Sequence, residues 1–208
     1  MQLLAVWCKA ELRWERQELH EMSASMMERV VNGVLIAVTS FILWLASRSL
    51  HESYFSEVQF AMGIDLFHIP SGIRLLLLLI GGAAAATGIA LANLLSVEAE
   101  LGIGGSAQIV LASFYTAFAT LFSLWLTLRI MGVDRDLKVL APRHLPWICL
   151  GTAVGSSMFH NVFFSAIAPV PLASLALNTL AMIAGDFLGS LAVVGLLWGA
   201  IRLIRRVF

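Results

Sequence analysis

The chain has 208 residues, of which 60% are hydrophobic and only 12% are charged. A soluble domain carries about 25% charged residues, so this composition excludes an ordinary soluble protein and predicts one embedded in a lipid bilayer. Basic and acidic residues are equal in number, so the net charge is zero and no nucleic-acid partner is expected. Outside the membrane segments no stretch of about 50 residues is left for a separate soluble domain.

The first 28 residues combine a short apolar run with alternating charges. They are predicted to form a retained cytoplasmic or interfacial segment, either a helix at the lipid headgroups or a polar tail, because charges interrupt the apolar run too early for a secretory signal. Residues 29–208 are predicted to form one all-α, polytopic transmembrane helical bundle of about five to six membrane segments. Cys8 and Cys149 lack the spacing of a zinc or redox site and are interpreted as apolar residues.

The first transmembrane helix is predicted at residues 30–46, between Arg29 and Arg48. The next segment, residues 47–72, is predicted to be a loop outside the membrane. Its apolar runs are too short to span a bilayer, because three acidic residues interrupt them. These are Glu52, Glu57 and Asp65.

The central stretch, residues 69–95, organises the rest of the chain. It begins at Pro70, which is tolerated in the first turn of a helix, and from Gly72 to its end its single charge is Arg74. Gly81 and Gly82 lie in its middle, followed by four alanines, so the backbone there can bend. We therefore predict a broken or re-entrant pair of half-helices at about residues 72–80 and 83–95. Arg74 is expected to extend toward the membrane interface rather than to bind an anion.

Three further spans are predicted at residues 107–131, 145–168 and 172–204. The last is longer than the bilayer is thick, so it should tilt, bend near Gly185 or project beyond the membrane. The loop between the first two carries a basic cluster, and the chain ends in arginines, so both are predicted to be cytoplasmic. The cluster and the terminal group are Arg129, Arg135, Lys138 and Arg143, and Arg202, Arg205 and Arg206.

This charge distribution constrains the central stretch. Residues 97–106 must lie outside the cytoplasm, and residues 48–72 lie there too if the basic N-terminal segment is inside. The chain between them then crosses the membrane an even number of times, which a hairpin satisfies and one straight helix does not. An N-terminus outside the cytoplasm would instead allow a straight helix, and both alternatives remain open.

Three motifs together resemble the MASE1 family, a bacterial integral-membrane sensory domain that is usually joined to histidine kinase or cyclic-di-GMP modules. The first is Pro70-Ser71-Gly72 at the start of the central stretch, the second is the segment at residues 88–95 with Asn93, and the third is the Gly-Asp-x-x-Gly sequence from Gly185 to Gly189. The sequence Arg-Asp-Leu at residues 135–137 of the basic loop is in a comparable place. The resemblance implies a sensing or scaffolding bundle in the bacterial inner membrane. Because no output module follows residue 206, it would act through a separate protein.

Polar side chains within the apolar spans are the candidate ligand site. Asp186 lies in the middle of the last span, and Asn178 lies on nearly the same helical face. His160 is deep in the preceding span, and in one interpretation it pairs with Asp186 as a proton-responsive or ligand-binding pair. The alternative is that these groups are interhelical hydrogen bonds without a further role. The complete predicted polar core is Arg74, Asn93, His160, Asn161, Asn178 and Asp186.

No sequence motif of an enzyme, a cofactor site or a metal site is present, so we expect none of these. The predicted function is a multi-pass sensor or scaffold with a cytoplasmic C-terminus. Its expected partners are the lipid bilayer, another membrane or cytoplasmic signalling protein, and a small-molecule ligand. The alternatives are a substrate-binding membrane component of a transporter, because discontinuous helices suit such subunits, and a structural subunit of a larger membrane complex.

Overall fold

The computed structural model describes residues 2–55, 59–61, 64–101, 106–133, 140–167 and 171–207. The described residues are almost entirely helical, as predicted from the sequence. The helices are α1 (Gln2–Phe55), α2 (Ile69–Leu101), α3 (Ser106–Ile130), α4 (Leu145–Ile167) and α5 (Leu172–Val207). A short antiparallel pair, β1 (Gln59–Ala61) and β2 (Ile64–Asp65), joins α1 to α2, and a single 3-10 turn, Pro142–His144, precedes α4.

Four segments in the described part of the chain are long and apolar enough to cross a membrane: Met26–Tyr54, Ile69–Ser96, Ala107–Ile130 and Ser174–Ile204. This is fewer than the five to six membrane segments predicted. Helix α4 has 23 residues but contains His160 and Asn161, which lower its hydropathy. Large apolar side chains are exposed along these helices, as lipid-facing surfaces require. The architecture is that of a multi-pass membrane protein.

Helix α1 extends beyond the predicted end of the first span. Residues 47–55 were expected to belong to a loop, but they continue the helix to Phe55. Their charges do not break it, because Arg48 and Glu52 form an ion pair of 3.4 Å at helical spacing. The acidic residues therefore limit the apolar length, and the helix itself continues.

Helix α2 is interrupted at Gly82, which has a φ of 53° and a ψ of −127°. The two arms that meet there contact the same part of α1. In the first arm the Arg74 guanidinium lies 5.6 Å from the centre of the Trp44 ring. In the second arm Asn93 accepts a hydrogen bond of 2.7 Å from the Trp44 indole N–H. An uninterrupted helix would separate Arg74 from Asn93 by about 28 Å, so α2 changes direction at Gly82.

The core is built around α2, which packs against α1, α3 and α5, while α4 lies between α3 and α5. Small residues allow this close packing. A side chain at Gly81 would meet Ile36, and one at Gly88 would clash with the carbonyl oxygen of Ala37. The fully buried positions of the second arm are mostly alanines, namely Ala85, Ala86, Ala90 and Ala92, together with Ile89.

Some sequence predictions fall outside the described residues. These are Arg135 and Lys138 of the basic loop, with the Arg-Asp-Leu sequence, and residues 168–170 between α4 and α5. The predicted connection at residues 97–106 is described in part. Helix α2 continues into it as far as Leu101, and α3 begins at Ser106.

Candidate functional site

Two motifs of the family resemblance meet where the strand pair reaches α2. The backbone N–H of His68 donates a hydrogen bond of 3.1 Å to the carbonyl oxygen of Gly185. A side chain at Gly185 would clash with the carbonyl oxygen of Asp65, and one at Gly189 would clash with that of His68. The two glycines of the Gly-Asp-x-x-Gly sequence thus let the backbone of residues 65–68 lie directly on α5.

The first turn of α2 is held against the same face of α5. Ser71 Oγ lies 2.7 Å from the carbonyl oxygen of His68, 2.9 Å from that of Asp186 and 3.2 Å from Ser190 Oγ. A Cβ at Gly72 would lie 2.8 Å from the carbonyl oxygen of Gly189. Ser71 therefore fixes α2 to α5 through hydrogen bonds, and Gly72 allows the two backbones to approach closely.

Arg74, Asp186 and Ser156 form what we call the inner cluster. Arg74 donates from Nη2 to Asp186 Oδ2 at 3.2 Å, and Ser156 Oγ donates to the same oxygen at 3.4 Å. The side chains of Arg74 and Asp186 are 13% and 5% exposed. The guanidinium of Arg74, which the sequence predicts to extend toward the membrane interface, binds the carboxylate on α5.

The Asp186 carboxylate has side-chain partners on two other helices. Arg74 of α2 and Ser156 of α4 both donate hydrogen bonds to it. His160 is partly buried on α4, and its pairing with Asp186 stays a prediction. Spacing along the chain could not identify the Arg74 contact, since it does not fix how two helices are rotated about their axes.

The remaining predicted polar residues make separate contacts. Asn161 donates to the carbonyl oxygen of Ser157 at 2.9 Å and lies 3.7 Å from the sulfur of Met182. Asn178 is partly exposed near the start of α5. These two residues therefore lie outside the inner cluster.

Asn93 occupies a different position, between α1 and α3. It accepts from Trp44 and donates from Nδ2 to Thr116 Oγ1 at 3.2 Å, so one amide joins three helices. The residue that ends the second motif of the resemblance is thus an interhelical hydrogen-bonding residue.

His51, Asp65 and His68 form a second group, the outer cluster, which sequence analysis did not identify. His51 Nε2 lies 2.8 Å from Asp65 Oδ2, and His68 Nδ1 lies 3.0 Å from the same oxygen. The side chains of the three residues are 6%, 14% and 27% exposed, in chain order. The available sequence signal was the Asp-x-x-His spacing of residues 65–68, which is common in loops.

The two histidines keep the Asp65 carboxylate ionised. Burial by itself raises the pKa of this carboxyl, but the hydrogen bonds with His68 and His51 outweigh burial and hold the pKa below its ordinary value. One ligand atom from each residue of the outer cluster lies within 4.8 Å of the others, so the three could hold a metal ion. The inner cluster has no such capacity, because a guanidinium cannot coordinate a cation.

Comparison of the chain with protein-family models, with curated proteins and with solved structures gives no match. The resemblance to the MASE1 family therefore stays a prediction from sequence motifs.

Proposed function

We propose that the protein is a multi-pass sensory or scaffolding protein of the bacterial inner membrane, MASE1-like in type, which binds a small ligand or partner in its bundle and signals through a separate protein. The observation that carries this proposal is the buried ion pair of Arg74 with Asp186. An ionised side chain at the bilayer centre costs about 2.5 to 3.5 kcal/mol on insertion scales, and such residues commonly mark functional sites. Well-packed apolar side chains would hold the helices together at a lower cost.

The ion pair is placed to couple helix positions to ligand binding. It joins the first arm of α2 to α5, and Ser156 adds a contact from α4. A ligand that competes for either charge releases one helix from another, which shifts the balance between two arrangements of the bundle. That shift would reach a signalling partner through the cytoplasmic loop and the chain termini.

The proposed membrane topology treats the two arms of α2 as a re-entrant pair. In its support, both arms contact Trp44, and the non-helical backbone at Gly82 separates them. Non-helical backbone at membrane depth is tolerated where protein covers it. Next to the break, Gly81 lies against Ile36 of α1, while Ile80 is exposed. With α4 counted as a crossing, the proposal has four crossing helices and a two-part re-entrant pair, consistent with five to six membrane segments.

The proposed orientation places the C-terminus in the cytoplasm. Arg129 ends α3, Arg143 precedes α4, and Arg202 lies near the end of α5. Since α3, α4 and α5 alternate in direction, these arginines lie at one end of the bundle, as the excess of basic residues on cytoplasmic ends favours.

The convergence of the sequence motifs supports the MASE1-like type. Ser71 and Gly72 of the first motif contact Asp186 and Gly189 of the third, although the two motifs are more than a hundred residues apart in the chain. Motifs with no common structural role would not be expected to meet. Here they build the surface that positions both clusters.

The test of the proposal is the replacement Asp186→Asn in the full chain, with Asn178→Ala as the control. Wild-type and variant proteins, adjusted to equal amounts in the membrane, are isolated under native conditions and their companions identified by mass spectrometry. We expect a signalling protein to co-purify with the wild type and the control, and its activity to change at least severalfold with Asp186→Asn. An activity that is unchanged by Asp186→Asn at normal protein level would contradict the proposal.

A transport component is the second candidate, because the interruption at Gly82 resembles the discontinuous helices of transporters. Uptake that depends on the chain, without a signalling partner, would favour this candidate. Stoichiometric isolation with other membrane chains, without uptake or regulated activity, would favour a structural subunit.

A further inference from the structure

We propose that the outer cluster of His51, Asp65 and His68 binds one divalent transition-metal ion of the zinc class. The inference extends the proposed function, since it names a ligand for one end of the bundle. Metal binding itself does not depend on the signalling role, because it is a property of the isolated chain.

The positions of the three ligand atoms are close to those of a metal site. In a tetrahedral zinc site with bonds of about 2.0 to 2.1 Å, neighbouring ligand atoms lie about 3.3 Å apart. Asp65 Oδ2 is 2.8 Å from His51 Nε2 and 3.0 Å from His68 Nδ1, and all three atoms lie within 4.8 Å of one another. To admit an ion, Asp65 Oδ2 would have to move away from each histidine nitrogen by a few tenths of an ångström, and the two histidine nitrogens would have to approach each other by up to about 1.5 Å. In the structure, Asp65 Oδ2 accepts a hydrogen bond from each imidazole ring.

The kinds of ligand select the class of ion. Imidazole nitrogen suits zinc and the neighbouring transition metals, whereas magnesium and calcium prefer sites made entirely of oxygen. The cluster supplies two imidazoles and one carboxylate. No cysteine takes part, so the site does not require a reducing compartment.

The ligands are held in place before any ion binds. His51 lies on α1, and Asp65 belongs to β2. Asp65 pairs with Gln59 of β1, and its carbonyl oxygen lies against Gly185. His68 is fixed by the hydrogen bond from its N–H to the Gly185 carbonyl oxygen. Rigid support of this kind is what a metal site needs for its geometry.

The surrounding charges permit a cation. Arg48 and Arg74 are arginines with carboxylate partners in the described part of the chain. Arg48 pairs with Glu52 at 3.4 Å, and Arg74 pairs with Asp186 at 3.2 Å. Because both guanidinium charges are balanced, the positive field at the outer cluster is weakened.

The partial exposure of the cluster leaves room for exchange. His68 is 27% exposed, while His51 is 6% exposed. With three protein ligands, a fourth position is available to water or to a group on another molecule, as in zinc sites that keep an open position. An ion bound here could therefore be taken up and released, which a sensor requires.

The experiment measures zinc binding to the purified full chain, without a polyhistidine tag, after removal of metal with a chelator. Calorimetric titration with zinc chloride is expected to show one ion per chain, and titration with magnesium chloride no binding. His51→Ala and His68→Ala are each expected to weaken zinc binding at least tenfold. The matched control His144→Ala, in the 3-10 turn before α4, is expected to keep the wild-type affinity.

A second measurement distinguishes loss of zinc binding from misfolding of a variant. Each variant is heated with and without zinc, and zinc is expected to raise the Tm of the wild type and His144→Ala but not that of His68→Ala. Asp65→Asn, which preserves the shape of the side chain, is also expected to abolish the rise. The absence of saturable one-to-one binding in the wild type, or equal binding by all histidine variants, would overturn the proposal. Loss of zinc binding with a normal signalling partner would leave the proposed function intact.

Discussion

The inner and outer clusters both place a carboxylate against basic side chains, but they differ in the chemistry of those partners. In the inner cluster Asp186 faces a guanidinium that is permanently charged and cannot coordinate a cation, and both groups come from membrane-spanning segments. In the outer cluster Asp65 faces two imidazoles, from the end of α1 and from the residue before α2. The first arrangement is a closed contact that couples helices, whereas the second can accept an ion.

The largest expected effect is that of breaking the inner pair. Asp186→Leu should lower the free energy of unfolding by about 3 to 5 kcal/mol, because it leaves the Arg74 guanidinium buried without its carboxylate. The double replacement with Arg74→Met should recover much of that loss. Denaturant unfolding in detergent measures both, with the exposed Arg29→Met as the control. A single variant as stable as the wild type would mean that the pair is not the buried contact described here.

A substitution where α5 contacts the backbone of residues 65–68, between the two clusters, should have an intermediate effect on the free energy of unfolding. Gly189→Ala should reduce stability by about 1 to 3 kcal/mol, since its Cβ would clash with the carbonyl oxygen of His68 and force the backbones apart. Gly199→Ala on the same helix is the control, because a Cβ there has nothing within 4 Å. The control should be neutral or gain up to about 1 kcal/mol from helix propensity. Equal effects of the two substitutions would show that the close approach at Gly189 is not needed.

The smallest effect is expected in the outer cluster without metal. Asp65→Asn in the presence of chelator should cost about 1 kcal/mol or less, because the amide oxygen still accepts a hydrogen bond and the side chain is partly accessible to water. Denaturant unfolding of this variant beside Asp186→Leu compares the two carboxylates directly. A larger loss of stability with Asp65→Asn than with Asp186→Leu would show that the outer cluster stabilises the fold more than the inner cluster does.

Sequence reasoning located the helices well because apolar length is a property of each segment. The predicted start of the span at residue 145 and of the last span at residue 172 agree with α4 and α5, and the backbone is interrupted at one of the two predicted glycines. Asp186 was identified as a buried polar group because a charge in an apolar run is conspicuous. Its partner was not, since Arg74 is 112 residues away and helix rotation is set by packing.

The outer cluster was not predicted, because its residues do not stand out from their surroundings as Asp186 does. His51, Asp65 and His68 lie in a stretch rich in polar residues, where no single charge is unusual. Their meeting depends on α1 continuing to Phe55, whereas the sequence was interpreted as a loop from residue 47. It also depends on a turn between two very short strands, whose pairing is not encoded in any local periodicity.

The position of His68 has a mechanical consequence. Its carbonyl oxygen accepts a hydrogen bond from Ser71 Oγ, and Arg74 lies about one turn further along α2. A displacement of the His68 ring would therefore be transmitted about 9 Å along the helix to the Arg74 guanidinium, which binds α5. The first two turns of α2 thus link the proposed ion site to the Arg74–Asp186 ion pair.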